Sequence, residues 1–263
     1  MSWFGDGGIS RRFWRVWQRN LVVYRKTWKI GFLPPVLEPI FYLIAFGVGL
    51  SGMVGNVSFH EKSLSYTAYI APALIAVNIM QSAFFENTYA SFVRMFYQKT
   101  FDAMLATPLT LPEVITGEIL WGATKAVIGT VLMMVVISFF GLIHYPEGLL
   151  LLPAAFIGGL AFACAGMICT AIVPTIEVFN LPIFLFITPM FLFSGTFFPL
   201  QNLPSWAQPV AQIFPLTHLV ELTRSLALGQ FGFSTLVAVL YLVAWSAVLF
   251  PIAIIGMERR LIK

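Results

Sequence analysis

Residues 148–173 read GLLLLPAAFIGGLAFACAGMICTAIV, a run of 26 residues without a single charged side chain. A helix needs about 20 apolar residues to cross the hydrocarbon layer of a bilayer, so this run is predicted to be a transmembrane helix. The whole chain has the same character, because 59% of its 263 residues are hydrophobic and only 10% are charged. Soluble domains carry about a quarter charged residues. We therefore expect an all-α, polytopic membrane protein.

Five further apolar runs are long enough to cross a bilayer. With the first run they give six predicted spans, at 31–53, 66–92, 114–142, 148–173, 179–200 and 233–256. The connecting loops are short and leave no room for a sizeable soluble domain. The chain 1–263 is therefore expected to form a single transmembrane domain, and any soluble machinery would belong to partner proteins.

The basic residues are distributed very unevenly between the two sides of the membrane. Of 15 Lys and Arg residues, twelve fall on the side of the two termini, only Lys62 and Arg224 fall on the other side, and Lys125 lies within a span. Because Lys and Arg are enriched in cytoplasmic loops, we expect both termini in the cytoplasm. The positive charge then orients the protein and attracts anionic lipid headgroups, and we expect no nucleic-acid partner.

Residues 10–29 are predicted to form an amphipathic helix ahead of the first span. Apolar residues such as Trp17 recur at three- and four-residue steps, while Arg12, Arg15 and Arg19 fall on the other side. A basic helix that carries tryptophan lies in the membrane interface, with its apolar face toward the acyl chains. Either this helix only fixes the topology, or it also contacts a cytoplasmic partner.

Four ionisable residues lie within or at the edges of the predicted spans: Glu38, Glu86, Glu118 and Lys125. All four are predicted in the cytoplasmic half, where they would share one network with Glu86 as the counter-ion of Lys125. Charges in hydrocarbon are costly and normally face a bundle interior or water, with a partner. The network is either an ion pair that locks helices together, which we favour, or part of a gate on a translocation path.

The cytoplasmic loop 100–112 is predicted to contain a short helix with Thr100 as its cap, which ends before Pro108. Three apolar residues recur at helical spacing in this helix: Phe101, Met104 and Leu105. Because the chain has no soluble domain to bury this face, we expect the loop helix to dock in a groove of another protein. Packing on the membrane surface is the alternative.

The stretch 201–232 is too apolar for a free loop, and too short and too often interrupted by proline to cross the membrane. We predict short re-entrant or interfacial helices, since irregular backbone is tolerated at membrane depth where protein buries it. These helices would plug the outer mouth of a pathway.

Motifs for catalysis and nucleotide binding are missing from the sequence. His60, His144 and His218 are isolated from one another, and no metal or nucleophile motif is present. Gly117 and Gly122 have the spacing of a Walker A loop, but the Lys and Ser or Thr that should follow at once are absent. We therefore expect a chain that does not hydrolyse ATP and that holds no cofactor and no metal.

Several motifs resemble those of the permeases of type-2 ABC exporters. They are VWQRNL at 16–21, FEN at 85–87, FDAMLATPL at 101–109, FSGTFFPLQNLP at 193–204 and FPLTH at 214–218. Within that class the chain is similar to the nodulation-type lipo-oligosaccharide exporter permease. The likeness extends over nearly the whole chain.

This resemblance implies a six-helix permease of a bacterial inner membrane that dimerises and works with two copies of a separate ATPase subunit, which would hold ATP and Mg. It also implies that the N-terminal helix and the loop helix contact the ATPase, and that an outer gate follows the fifth span. The implied coupling residues are Phe101, Asp102, Met104, Leu105, Thr107 and Pro108. The implied gate residues are Phe193, Ser194, Gly195, Phe198, Pro199 and Pro215.

The resemblance favours the export of a large amphiphile, such as a lipid-linked oligosaccharide, a polysaccharide or a glycolipid. Efflux of drugs or other hydrophobic compounds is the alternative, because substrate does not follow from fold. A secondary transporter would show an inverted repeat with matching broken helices. Only the connection between the fifth and sixth spans is broken here. A membrane scaffold or lipid enzyme would need a cluster of acid, base or metal-binding residues, which the sequence lacks.

Overall fold

The structure is a computed structural model that describes residues 10–49, 55–59 and 62–261. Three features of the sequence analysis lie outside these residues: His60, Lys263 and the end of the first predicted span at 50–53.

The described chain is a bundle of helices, as the sequence predicts, and it also contains one short β-hairpin that the sequence analysis does not predict. The hairpin pairs β1 (Asn56–Phe59) with β2 (Lys62–Ser65) in an antiparallel arrangement. Leu43–Val48 and two segments near the end of the second long helix, Glu86–Ala90 and Val93–Tyr97, are π-helical. The helices are α1 (Phe13–Tyr42), α2 (Tyr66–Tyr97), α3 (Thr100–Leu105), α4 (Leu111–Phe139), α5 (Glu147–Ile172), α6 (Ile176–Phe193), α7 (Ala207–Ile213), α8 (Pro215–Ala227) and α9 (Phe233–Leu261).

Five of these helices, α2, α4, α5, α6 and α9, are long and apolar enough to cross a membrane. A sixth span results if Phe13–Lys29 and Gly31–Phe46, which cover α1 and the start of the π-helical segment after it, are counted together across the 60° bend between them. Pro34 and Pro35 lie within α1 one turn beyond this bend. A proline ring clashes with the carbonyl group four residues earlier, and the carbonyl groups concerned here are those of residues 30 and 31. The prolines therefore account for the bend.

Consecutive spans run in opposite directions, and we name the two ends of the bundle after Arg94 and Arg224. At the Arg94 end, the start of α1 lies beside Gly117 in the first turns of α4. Arg260, near the end of α9, donates a 2.6 Å hydrogen bond to the carbonyl of Val173 after α5. The start of α1 and the end of α9 therefore lie at the same end of the bundle.

The helices α2, α4 and α5 form the centre of the bundle. In the most apolar part of α2, 78% of the residues are buried, compared with 17% in α6 and 22% in α9. Gly159 allows α5 to approach α4 closely, because a Cβ atom there would lie 2.9 Å from the Cα atom of Ala123. The outer faces of α6 and α9 are left uncovered by the described chain, so lipid or another protein chain covers them in the membrane.

Two predicted boundaries differ from the structure in ways that matter for the site. The second span extends to Tyr97 instead of 92, and this extension places Arg94 inside the helix. The fifth span ends at Phe193 instead of 200, because the chain turns at Gly195, where φ is +72°. Glycine adopts this left-handed conformation without steric cost.

The prediction that Thr100 caps the loop helix is wrong. Lys99 occupies the cap position with a left-handed backbone, and Thr100 is the first helical residue. The next helix, α4, begins with a local bond, because the backbone N–H of Thr110 donates to Glu113 Oε2 at 2.8 Å. This bond satisfies one of the backbone donors that a helix start leaves without a partner.

Candidate functional site

A group of four charged residues, whose two carboxylates are buried, joins α2 and α4 near the Arg94 end, and we call it the inner charged cluster. It consists of Glu86, Arg94, Glu118 and Lys125. Lys125 Nζ lies 2.6 Å from Glu86 Oε2, which confirms the predicted pair. Arg94 contacts both carboxylates, with Nη1 at 2.7 Å from Glu86 Oε1 and Nη2 at 2.6 Å from Glu118 Oε2. Two positive and two negative charges therefore offset one another.

Neutral side chains complete the coordination of the two carboxylates. Trp121 Nε1 donates to Glu86 Oε1 at 3.0 Å, and Ser91 Oγ donates to Glu118 Oε2 at 2.9 Å. Asn20 Nδ2, from α1, donates to the remaining oxygen of Glu118 at 2.9 Å. All four carboxylate oxygens thus accept a hydrogen bond, the condition under which buried charges are tolerated.

Sequence reasoning missed Arg94 as a member of this cluster and placed it in a cytoplasmic loop. A signal was available, since Arg94 follows Glu86 by eight residues and therefore lies on the same face of one continuous helix. Asn20 was also missed, because a neutral residue in a basic interfacial helix gives no sign that it will be buried.

Glu38 does not join the cluster, so the prediction of a single network of four residues is wrong on this point. Beyond the bend of α1 it lies on an apolar groove with Pro34, Leu37, Phe41 and Tyr42. Within the described ranges it makes no hydrogen bond or ion pair. Glu38 was predicted at nearly the same depth as the cluster. Because α1 bends between Lys29 and Gly31, the side of the helix that carries Glu38 does not face the other charges.

The first part of α1 packs directly on α4. A Cβ atom at Gly117 would lie 2.6 Å from the Cβ atom of Val16, so the glycine makes room for α1. Trp17 Nε1 donates to Thr124 Oγ1 at 2.9 Å. The face of α1 expected to meet acyl chains is therefore turned toward protein at these two residues, and the buried amide of Asn20 lies on the same side.

Basic residues of α1 contact the segment that contains the loop helix. Arg12 and Arg15 are exposed, and Arg12 Nη1 donates to the carbonyl of Pro108 at 2.7 Å. Arg19 Nη2 lies 3.5 Å from Thr100 Oγ1 at the start of α3. These contacts connect α1 to both ends of the segment 100–108.

The loop helix α3 is fixed to the bundle by Phe101, which is fully buried. Met104 and Leu105 are half-buried and pack on the same core. The chain itself therefore covers Phe101 completely and Met104 and Leu105 in part, whereas the prediction assumed that nothing in the chain buries this face. The exposed side of the helix carries Asp102, and Thr107 and Pro108 are exposed just after it.

Two aromatic residues beside α3 were missed by the sequence analysis. Phe96 and Tyr97 are 50% and 60% exposed at the end of α2. Because Phe92 and Phe96 stack with ring centroids 5.6 Å apart, the exposed pair continues an aromatic row that enters the core. Phe96, Tyr97, Asp102 and Thr107 together define what we call the loop surface.

At the opposite end, Arg224 holds the turn that follows α6. Arg224 is 3% exposed, and its Nη2 and Nε donate to the carbonyls of Gly195 and Tyr69, each at 3.1 Å. Its guanidinium also lies over the ring of Tyr69, 3.7 Å from the centroid. The short helices predicted in 201–232 include Arg224, but its burial was not predicted. The guanidinium is accommodated because it donates to the carbonyl of Gly195 in the turn and to that of Tyr69 in α2.

The implied gate residues surround this turn. Tyr66 and Tyr69 donate from their hydroxyl groups to the carbonyls of Phe197 and Gly195, at 3.1 and 3.2 Å. Ser194 and Gly195 are buried and Pro199 is half-buried, whereas Phe193 and Phe198 are 40% and 37% exposed. Pro215 is the first residue of α8 and is buried. The turn is therefore closed by hydrogen bonds from two other helices.

No group of three or more His, Cys, Asp or Glu side chains with metal-binding geometry occurs in the part of the chain that the structure describes. Several apolar helices long enough to cross a membrane, a charged cluster near one end and a hydrogen-bonded turn at the other are the features of a multi-pass membrane protein.

The comparisons with known proteins give the particular family. Residues 11–228 match the family described as ABC-2 type transporter, so the chain belongs to that family. It is 39% identical over 224 residues to Nodulation protein J of Rhizobium leguminosarum bv. viciae, covering 85% of this chain and 84% of the relative. Nodulation protein J of Sinorhizobium fredii is 34% identical over 248 residues, with 94% and 93% covered.

A more distant relative is the inner membrane transport permease YadH of Escherichia coli. It is 22% identical over 242 residues, with 89% of this chain and 93% of the relative covered. The chain is accordingly the membrane-spanning permease of an ABC-2 type exporter and not its ATPase.

Proposed function

We propose that this permease exports a lipo-oligosaccharide or a similar large amphiphile from the cytoplasm or the inner leaflet of a bacterial inner membrane. The observation that carries the proposal is the identity of 39% to a Nodulation protein J over 85% of the chain. A second Nodulation protein J, from another genus, is 34% identical over 94% of the chain. Similarity over whole chains favours a shared class of substrate over a shared fold alone.

The energy for transport comes from a separate ATPase that binds at the Arg94 end in two copies. The sequence has no complete nucleotide-binding loop. The loop surface supplies exposed aromatic residues at the end of α2, beside the helix α3 that Phe101 anchors in the core, which is the combination that a docking site needs. A displacement of α3 would therefore move α2 and α4 with it, and not the loop alone.

Two further features support the arrangement of the whole transporter. The Arg94 end has the larger number of Lys and Arg residues, and it holds the start of α1 and the end of α9, which favours a cytoplasmic position for that end. The outer face of α6 is uncovered, and a second permease copy would cover part of it. Transport then proceeds between two permeases above two ATPases.

The inner charged cluster acts as a lock that makes α1, α2 and α4 move as one body. Every carboxylate oxygen has a partner, and residues from all three helices participate. Packed elements with satisfied polar contacts move as rigid units, so a push at the loop surface reaches the Arg224 end without being absorbed on the way. The gate is then the turn held by Arg224, not the cluster.

The test is transport by the reconstituted complex. The permease and the ATPase that co-purifies with it would be placed in proteoliposomes, and ATP-dependent movement of a fluorescent lipo-oligosaccharide would be measured. The negative control is the ATPase with its Walker A lysine replaced, and a hydrophobic dye serves as the competing substrate. Transport of the dye but not of the lipo-oligosaccharide would refute the proposed substrate class. Transport without the ATPase would refute the whole proposal.

A further inference from the structure

A cavity of about 620 Å³ lies at the Arg224 end, between the hairpin, the turn after α6, α8 and the first turn of α9. Sites for small ligands typically enclose about 300–1,000 Å³. Six polar residues that contribute to its lining are Ser194, Gln201, Gln212, His218, Glu221 and Ser234. We call it the outer cavity.

Two of these residues present hydroxyl groups that lack a partner. Ser194 Oγ and Ser234 Oγ are buried, and neither has a hydrogen-bond partner among the residues that the structure describes. Ser194 is 1% exposed as a whole residue. A buried hydroxyl without a partner is costly, so such groups mark places where a ligand or water completes the hydrogen bonding.

The charges of the cavity are balanced within the protein. The Arg224 guanidinium is occupied by two backbone carbonyls and by the ring of Tyr69, and Glu221 offsets its charge. Burial lowers the pKa of His218, which keeps this imidazole neutral near pH 7. The described residues that line the cavity therefore offer no excess of either charge to an ionic ligand.

The remaining polar groups suit hydroxyl groups. A sugar hydroxyl both donates and accepts, and the amides of Gln201 and Gln212 and the serine hydroxyls also do both. Gln201 and Gln212 are exposed, and both line the cavity. Such a set of groups recognises an uncharged polyhydroxylated ligand better than an anion.

We propose that the outer cavity binds one or two uncharged sugar rings of the exported molecule. This inference rests on the proposed function, because it places the carbohydrate part of an amphiphile beside the turn that closes the pathway. Ser194 precedes Gly195, whose carbonyl both Tyr69 and Arg224 bind. A sugar bound to Ser194 therefore contacts the turn directly.

The test uses the full permease with its ATPase in lipid nanodiscs. Binding of maltotetraose and chitotetraose would be measured by saturation-transfer NMR and calorimetry, with tetragalacturonate as the charged comparison. We expect the neutral oligosaccharides to bind and the charged one to bind more weakly. Stronger binding of tetragalacturonate, or no binding of either neutral sugar, would overturn the inference.

Substitutions of residues that line the outer cavity test whether the sugar binds there. The double variant Gln201→Leu with Gln212→Leu removes two amides from the mouth and is expected to weaken binding by about tenfold or more, the loss that follows from two neutral hydrogen bonds. Ser234→Ala removes a hydroxyl without a protein partner, so it should weaken binding while the melting temperature stays unchanged. Gln18→Leu, an exposed glutamine of α1, is the matched control. Unaltered binding in both cavity variants would overturn the site.

The failure of this inference can be separated from the failure of the proposed function. If ATP-dependent export of the lipo-oligosaccharide occurs and no oligosaccharide binds, the sugar site is refuted and the function stands. If neutral sugars bind at the outer cavity and export is absent, the site stands and the proposed function is refuted.

Discussion

Arg94 Nη2 and Glu118 Oε2 lie 2.6 Å apart and join the end of α2 to the beginning of α4. The side chain of Glu118 is fully buried, and that of Arg94 is 13% exposed. A buried ion pair adds little net stability by itself, because desolvation opposes the attraction between the charges. Removal of one partner is different, because it leaves the other charge buried and incompletely paired.

The first prediction concerns Glu118→Gln. The change keeps the size of the side chain and leaves Arg94 with a single carboxylate, that of Glu86. We expect the free energy of unfolding to fall by about 3–5 kcal/mol, the usual cost of breaking a buried pair. The measurement is thermal or denaturant unfolding in detergent, followed by tryptophan fluorescence.

The control for this change is Asp102→Asn, which neutralises an acidic residue that is exposed on α3. Its stability should match that of the unaltered protein. Equal stability of Glu118→Gln and Asp102→Asn would show that the cluster does not hold α2 and α4 together.

Lys125→Ala distinguishes a lock from a gate. Lys125 is at the edge of the cluster, with its side chain 36% exposed, and Glu86 keeps Arg94 and Trp121 as partners after the change. We expect a smaller loss of stability, about 1–2 kcal/mol, and a normal transport rate per folded molecule. Transport assays normalised to the amount of folded protein would measure this. Abolished transport at unchanged stability would assign Lys125 to the pathway.

The sequence allowed the depth of these residues to be predicted, but not the direction of their side chains. Hydropathy located the spans, and the shared depth of Glu86 and Lys125 was enough to pair them. The same argument from depth predicts that Glu38 joins this network. The prediction fails because α1 bends before Pro34, and Glu38 lies on a separate apolar groove beyond the bend. A bend changes which face of a helix meets the bundle, and counting residues along a span does not reveal that change.

Arg224 could not be assigned from sequence for a different reason. The residues next to Arg224 in α8 do not supply the acceptors that would allow a buried guanidinium. Its hydrogen-bond partners are the carbonyls of Tyr69 and Gly195, which are 155 and 29 residues away in sequence. A turn creates unpaired carbonyl groups only once it has folded, so the need for a buried donor is a tertiary property. The burial of Arg94 could have been predicted more readily, since both of its partners, Glu86 and Glu118, lie on long helices that the sequence predicts.

Arg224→Lys tests the closure of the turn. Lysine keeps the charge but cannot reach two carbonyls in a fixed fork or stack on Tyr69 as a guanidinium does. We expect the turn to open more often, so that Ser194→Cys in this background reacts with a maleimide faster than Ser194→Cys alone. Arg25→Lys, an exposed arginine of α1, is the matched control. Equal labelling rates in all three proteins would refute the role of Arg224.

The native cysteines do not disturb this labelling experiment. Cys164 is buried and Cys169 is half-buried inside α5. Both should therefore react slowly, and the protein without Ser194→Cys supplies the background rate. The ratio of labelling with and without Arg224→Lys is the quantity that decides the outcome.

The docking of the ATPase is tested at Phe96 and Tyr97 and not at Phe101. Because Phe101 is fully buried, Phe101→Asp would place a charge in the core and would detach α3. Phe96→Ser with Tyr97→Ser changes two side chains that are 50% and 60% exposed, so the fold should survive. We expect the double variant to lose co-purification with the ATPase and stimulation of its activity.

The matched control lies on the other end of the molecule, where Phe231→Ser with Phe233→Ser also removes two exposed aromatic residues. Because the ATPase is expected only at the Arg94 end, this control should retain both binding and stimulation. Melting temperatures of the two double variants should agree within a few degrees, which would separate docking from stability. If the variant at Phe96 and Tyr97 still co-purifies with the ATPase as strongly as the control does, the loop surface is not the docking site, and the exposed arginines of α1 become the surface to be mutated next.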